Sequence, residues 1–222
     1  MNVLELFAGS RSMGIIAENL GYNVFSSDIN DFENIDYVID ILEFDVKKVS
    51  FIPDFIWASP PCTFFSVASI GHHWTRTMIG DKAIHTPKSN NAMLGVQIVQ
   101  KTLEIINYFL TINPKLIWFI ENPRGKLRKL NVMQNLPRTT IMYCQYGDNR
   151  MKPTDIWSNN IQSLFNENGF YPKTCFAGNK KCHHEEAPRG SKTGTQGLSN
   201  AYERSKLPPE LCKSIYQSIL NK

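Results

Sequence analysis

The stretch LELFAGSRSMG, residues 4–14, decides the fold. An apolar run, Leu4 to Phe7, passes straight into the small residues Ala8, Gly9 and Ser10. Met13, Ile16, Ala17 and Leu20 then fall at helical spacing, and Gly21 ends the pattern. A strand, a tight turn and a helix in so short a stretch let a ligand approach the backbone closely while a helix N-terminus points at it.

The same alternation continues outward from this unit. Strands are expected at Val3–Phe7, Asn23–Ser27, Tyr37–Ile39, Phe55–Ala58 and Leu116–Ile120, with a long helix over Asn91–Thr111 that Pro114 stops. Leu94, Ile98, Leu103, Ile106 and Leu110 lie on or near one face of that helix. Further strands are expected at Thr140–Gln145 and Asp155–Trp157, and a closing helix over Pro209–Leu220. Strands alternating with helices predict an α/β fold with a doubly wound, mostly parallel, Rossmann-like sheet. In such a sheet ligands sit beyond the carboxyl ends of the strands, and an acid after the second strand suits ribose hydroxyls. Asp28 follows NVFSS and Asp40 follows YVI, at those ends. The plainer reading of both acids is that they cap turns.

Two segments break the rhythm. Thr63–Asn90 fits neither period, holds His72, His73, Trp74, Arg76 and His85, and is too long for an ordinary connection, so a functional loop is expected there. Ser158–Arg204 is polar, basic and weakly periodic, and reads as a small inserted lobe. The division expected is residues 1–157 as the main domain, 158–204 as the lobe, and 205–222 as a helix returning to the main domain.

The 222 residues suffice for one domain with a real core. No apolar run reaches about 18 residues, and the start lacks a basic stretch before its apolar residues, so neither a membrane span nor a secretory signal is expected. A cytoplasmic setting, in a prokaryotic or phage-infected cell, is the expectation. Five cysteines, an odd number, are not a disulfide framework and are expected as thiols. The net charge of +4 hides an asymmetry: residues 1–114 hold 7 Lys+Arg against 12 Asp+Glu, and residues 115–222 hold 17 against 8. The second half is therefore expected to face a polyanion, because basic surfaces supply the sequence-independent part of nucleic-acid affinity.

One thiol stands apart. In DFIWASPPCTFFS, residues 54–66, an apolar strand ends in Pro60 and Pro61, which cannot continue a sheet ladder, and Cys62 follows at the strand's edge. IWFIENPR, residues 117–124, is a second buried strand breaking at a proline, with Glu121 and Asn122 at its carboxyl end. A thiol and a carboxylate could thus face the cleft of the nucleotide-like ligand.

In this order the motifs resemble the cytosine-5 DNA methyltransferases, over most of the chain. FAGS, residues 7–10, looks like the family's cofactor loop, Asp28-Ile29 and Asp40-Ile41 like its ribose-binding and adenine-binding positions, Pro60-Pro61-Cys62 like its nucleophile motif, and Glu121-Asn122-Pro123 like its ENV motif. CQYGDNRMK resembles the arginine motif, with Gln145, Arg150 and Lys152 at its polar positions; RSKLPPELCKSI resembles the last motif, which returns to the cofactor. The resemblance implies S-adenosylmethionine as cofactor, bound by Phe7, Ala8, Gly9, Ser10, Asp28, Ile29, Asp40, Ile41, Pro60 and Ser205. It implies Cys62, Glu121 and Arg150 as catalytic, and Pro61, Asn122, Pro123, Gln145 and Lys152 as substrate-binding. Cys62 as thiolate would add to cytosine C6, Glu121 would hold N3 and the exocyclic amine, and Arg150 with Lys152 would favour the thiolate. The target base must then leave the duplex stack, with Thr63–Asn90 closing over the DNA.

The sequence departs from the family in three places. Only about 47 residues stand where a larger target-recognition region is usual, which implies short specificity or help from an oligomer or accessory partner. Ser205 replaces a common asparagine, and Arg11 and Ser12 replace a glycine after the loop. Rival readings are an RNA-directed enzyme, a transferase with a modified cofactor, and a silent nucleic-acid-binding protein. In the lobe, Cys175, Cys182, His183 and His184 are zinc-type ligands, but their spacing matches no standard finger, so no metal is assigned and a basic loop is expected. Lys180, Lys181, Arg189 and Lys192 suit phosphate contact there. Cys144 and Cys212 read as core.

Overall fold

Burial explains why the first strand forms where it does. Val3, Leu4 and Leu6 are shut off from solvent on both faces of a central strand, as parallel strands covered by helices require. The computed structural model describes residues 1–67, 70–165, 173–186, 198 and 200–220. Arg189 and Lys192 lie outside the described residues.

The strands are β1 (Asn2–Leu6), β2 (Asn23–Asp28), β3 (Tyr37–Val38), β4 (Phe55–Ala58), β5 (Trp74–Ile79), β6 (Lys82–Pro87), β7 (Ile117–Pro123), β8 (Arg138–Met142) and β9 (Pro153–Ser158). Seven form one sheet in the order β3-β2-β1-β4-β7-β9-β8. From β3 to β7 all neighbours are parallel, whereas β9 runs antiparallel to both β7 and β8. The order reverses between β1 and β4, and this is the switch point at which doubly wound sheets open a crevice. One face packs beneath the long helix Asn90–Ile112, with Val99, Ile106 and Phe109 against Ile56 and Ile120. The other carries the helices Ser12–Asn19 and Pro209–Leu220, with Met13, Ala17, Leu211 and Ile215 against Phe55 and Phe119. The helix Ile161–Phe165 joins this second layer, where the Ser163 hydroxyl donates to the Ser218 carbonyl at 3.2 Å.

Three expectations are corrected. The strand expected to end at Ile120 runs three residues further: Glu121, Asn122 and Pro123 pair with Ile156, Asp155 and Thr154 of β9, and β7 ends at the proline. The strand expected to reach Gln145 stops at Met142, and Tyr143–Tyr146 tighten into a 3₁₀ turn closed by Gly147 at φ 83°. Thr63–Asn90 is not all loop. It contains the hairpin of β5 and β6, turning at Gly80-Asp81 with Ile79 opposite Lys82. A two-residue Gly-Asp turn is a hairpin signal in its own right, and Gly80 takes the φ of +57° that such turns need.

Candidate active site

The turn after β1 is shaped by backbone that most residues avoid. Phe7, Gly9 and Arg11 all have positive φ, near 58°, 50° and 52°. Gly9 donates its N–H to Asp28 Oδ2 at 3.0 Å, and Asn30 donates its own to Asp28 Oδ1 at 2.9 Å, so the acid at the end of β2 fastens the two loops together. A Cβ on Gly9 would stand 4.0 Å from both Asp28 Oδ2 and Ser205 Oγ. Ser205 is thereby placed over the turn by the short helix Ala201–Ser205, whose Tyr202 ring packs on Phe32 at 5.2 Å. Ile29, beside Asp28, is 63% exposed. Asp40 caps its own turn by accepting from the Leu42 N–H at 3.0 Å, and Ile41 is buried beneath it.

Below the turn lies Glu5, absent from the expected set. Its carboxylate accepts the N–H groups of Met13 and Gly14 at 3.0 and 2.9 Å, serving as a cap for the helix Ser12–Asn19 from the neighbouring strand. Burial pushes its carboxyl up to about 7, against the pull of those two bonds.

Cys62 follows β4 on a loop held from three sides. Asn122 Nδ2 donates to the Pro60 carbonyl at 2.8 Å, Lys126 N–H donates to the Phe65 carbonyl at 2.7 Å, and Trp74 Nε1 donates to the Phe64 carbonyl at 2.7 Å. Asn122, expected to bind substrate, is wholly buried, and its side chain holds the Cys62 loop. Pro60 is buried and Pro61 exposed. Pro123 stays at the strand end beside Thr154.

Because Ala58 pairs with Ile120, the next residues on each strand bring Cys62 and Glu121 to one end of the sheet. Glu121 is buried and accepts from the Tyr143 hydroxyl at 3.0 Å. Burial raises its carboxyl above the usual range, with Lys152 and the Tyr143 and Ser59 hydroxyls acting in the opposite sense. Burial likewise pushes the Cys62 thiol up, Lys152 draws it down, and Glu121 pushes it up. Lys152 is itself lowered by burial and held charged by Glu121 and Cys62. Its Nζ donates to the Arg204 carbonyl at 3.0 Å and sits 4.5 Å from the Tyr143 ring centre. A thiol, a carboxyl and one cation thus form a coupled set.

Arg150 is placed differently from expectation. Its guanidinium is ion-paired with Asp148 and donates to the carbonyls of Glu203, Arg204 and Lys206 at 3.4, 3.1 and 3.1 Å. It pins the segment that carries Ser205, and Lys152, with a smaller contribution from Arg204, is the cation that acts on Cys62. Gln145 is also committed elsewhere, with Nε2 at 3.7 Å from both Cys144 Sγ and Cys182 Sγ. Tyr143 is the residue missed; reading its stretch as strand concealed that a turn aims its hydroxyl inward.

The hairpin redistributes charge. Lys126 Nζ approaches His85 Nδ1 at 2.6 Å, and Arg76 and Lys129 are near enough to hold the Lys126 ammonium below its usual range, burial being the larger cause. This basic cluster therefore draws on both halves of the chain.

One reversed strand, β9, set between β7 at the end of a five-stranded parallel run and the edge strand β8, gives this sheet the architecture of the Rossmann-like methyltransferases. No protein-family model matches the chain. It is 31% identical over 195 residues, covering 84% of its own length and 79% of the relative's, to the protein described as "Probable DNA (cytosine-5)-methyltransferase" from Frog virus 3 (isolate Goorha). The chain belongs to the cytosine-5 methyltransferase family. A crystal structure of a DNMT2 mutant from Spodoptera frugiperda overlaps 74% of this chain and 52% of its own, at 15% identity and a TM-score of 0.42. This chain spans about half the length of that one. No helix among the described residues is long and apolar enough to cross a membrane.

Proposed function

We propose that the chain methylates C5 of cytosine in DNA through a covalent bond between Cys62 and C6 of the base. The observation that carries this reading is the coupling of Cys62 and Glu121 through Lys152 at the carboxyl ends of adjacent strands.

The turn at Phe7–Ser10 fits S-adenosylmethionine. Gly9 leaves the room a Cβ would fill, Asp28 stands at the end of β2 where ribose hydroxyls bind, and exposed Ile29 offers an apolar surface to a base. When bound, that cofactor supplies an electrophilic methyl group. Asp40 and Ile41 border the same end of the sheet, and Ser205 covers it.

The chain's own residues do the remaining work. Lys152 favours the thiolate of Cys62, which adds to C6 and sends electron density through the ring toward C5; once C5 carries the methyl group, loss of its proton to a base restores the C5–C6 double bond and expels Cys62 as thiolate. Glu121, its carboxyl raised by burial, is set to hold a proton at N3 and thereby promote that addition. Tyr143 and the Ser59 hydroxyl orient that carboxyl. Arg150 acts by positioning the segment over the cofactor loop. Pro61 is exposed, and on and beside the hairpin Arg76 and Lys129 are exposed and suit phosphate contact.

The test incubates the chain with S-adenosylmethionine and duplex DNA or folded RNA, then measures nucleoside masses. A 5-methylcytosine product on DNA that vanishes in Cys62→Ala is expected. Product confined to RNA would overturn the substrate, and turnover that survives in Cys62→Ala would overturn the mechanism.

A further inference from the structure

Away from Cys62 and Glu121, four ligand atoms converge. The sulfurs of Cys144, Cys175 and Cys182 and a ring nitrogen of His184 all lie within 4.8 Å of one another. Cys144 comes from the turn after β8, and the other three from segment 173–186, so the fold joins a residue that sequence reading assigned to the core with three from the lobe.

We propose that these residues form a structural site for one tetrahedral zinc ion, which clamps the lobe to the turn carrying Tyr143. With Zn–S near 2.3 Å and Zn–N near 2.0 Å, neighbouring ligand atoms of a tetrahedron stand roughly 3.5–3.8 Å apart. Cys175 Sγ and His184 Nδ1 are 3.6 Å apart. All the sulfurs are free thiols. Three sulfurs and an imidazole select zinc over the hard cations, and four protein ligands leave no open position for catalysis.

The surroundings are those of metal-bound thiolates. Gln145 Nε2 lies 3.7 Å from both Cys144 and Cys182 sulfurs, and Asn179 Nδ2 donates to Cys175 Sγ at 3.4 Å, so amide donors are directed at all three. The adjacent histidines are told apart: His183 Nε2 meets the Asp148 carbonyl at 3.1 Å and stands outside the cluster. The segment has little apolar burial of its own, Phe176 being 66% exposed, and binding energy from a metal serves in place of a core. Binding releases the three thiol protons. Glu185 N–H donates to the Asn149 carbonyl at 2.9 Å, a second tie between the lobe and the same loop.

The test needs no methyl transfer, so its failure is separate from failure of the proposed reaction. The full chain, purified under reducing conditions, is assayed for metal by mass spectrometry and loaded with cobalt(II) for absorption spectroscopy. About one zinc per chain and a tetrahedral thiolate–cobalt spectrum are expected. Cys182→Ser and His184→Ala weaken zinc binding by at least about 100-fold, above the loss of an outer partner. His184→Cys, which restores a fourth ligand, and Cys62→Ala, which removes a thiol outside the cluster, retain the metal. A wild-type chain that is folded by circular dichroism yet takes up neither metal overturns the proposal. So does zinc content unchanged in Cys182→Ser.

Discussion

Tyr143 donates its hydroxyl hydrogen to Glu121 Oε1 at 3.0 Å, linking the turn after β8 to the carboxylate on β7. Both groups are buried, and burial raises Tyr143 well above its ordinary range, so it stays a donor throughout the working pH. Glu121 therefore feels a fixed hydrogen bond that favours its charged form.

Removing that bond in Tyr143→Phe raises the Glu121 carboxyl further. The limb of the pH–rate profile that reports Glu121 moves toward alkaline pH, and kcat falls by roughly 10-fold, from a lost buried bond of about 1–2 kcal/mol. An unmoved limb would show that Tyr143 only packs.

Lys152 and Arg150 separate in thiol chemistry. Lys152→Met removes the main cation that lowers Cys62, so alkylation by iodoacetamide at fixed neutral pH slows by about 10-fold. Arg150→Lys leaves the Cys62 rate within about 2-fold but raises KM for the cofactor, because it loosens the carbonyls of residues 203–206. The Cys62→Ala chain supplies the blank.

Gly125 is a packing constraint on the Cys62 loop. An added Cβ would lie 2.2 Å from the Phe65 carbonyl oxygen, which also accepts from Lys126. Gly125→Ala lowers thermal stability by about 1–3 kcal/mol and slows turnover more than it lowers cofactor affinity. Gly71→Ala, with open space around it, is neutral in the same melts.

Glu5 sets a pH dependence of stability. Its folded value of about 7 is above the ordinary 4.5, so the folded state binds the proton more tightly than the unfolded chain does. Its contribution is fully present below 4.5 and is lost as pH rises through 7, a change of about 3 kcal/mol. Chemical denaturation at pH 5 and pH 8 should show this decline, and Glu5→Gln should flatten it.

What the sequence determined by itself was local. Apolar runs placed β1, β2, β4 and the helix Asn90–Ile112 within a residue or two, because each is specified by its own period and punctuation. Pro60-Pro61-Cys62 and Glu121-Asn122-Pro123 were legible as motifs because they mark strand ends. The hairpin turn at Gly80-Asp81 is likewise encoded locally, by a two-residue glycine turn between short strands. Tertiary structure decided which neighbour each polar group meets. Lys152 and Arg150 are two residues apart, yet one reaches Cys62 and the other the 203–206 carbonyls, a choice made by the turn that precedes β9 and by Lys152 at φ 27°. Glu5 looked like an ordinary strand residue until the next helix turned its N–H groups onto it. Cys144 meets Cys175 and Cys182 only because a 3₁₀ turn replaces the end of a strand. Convergence over such separations depends on how segments pack, and no local period or spacing encodes it.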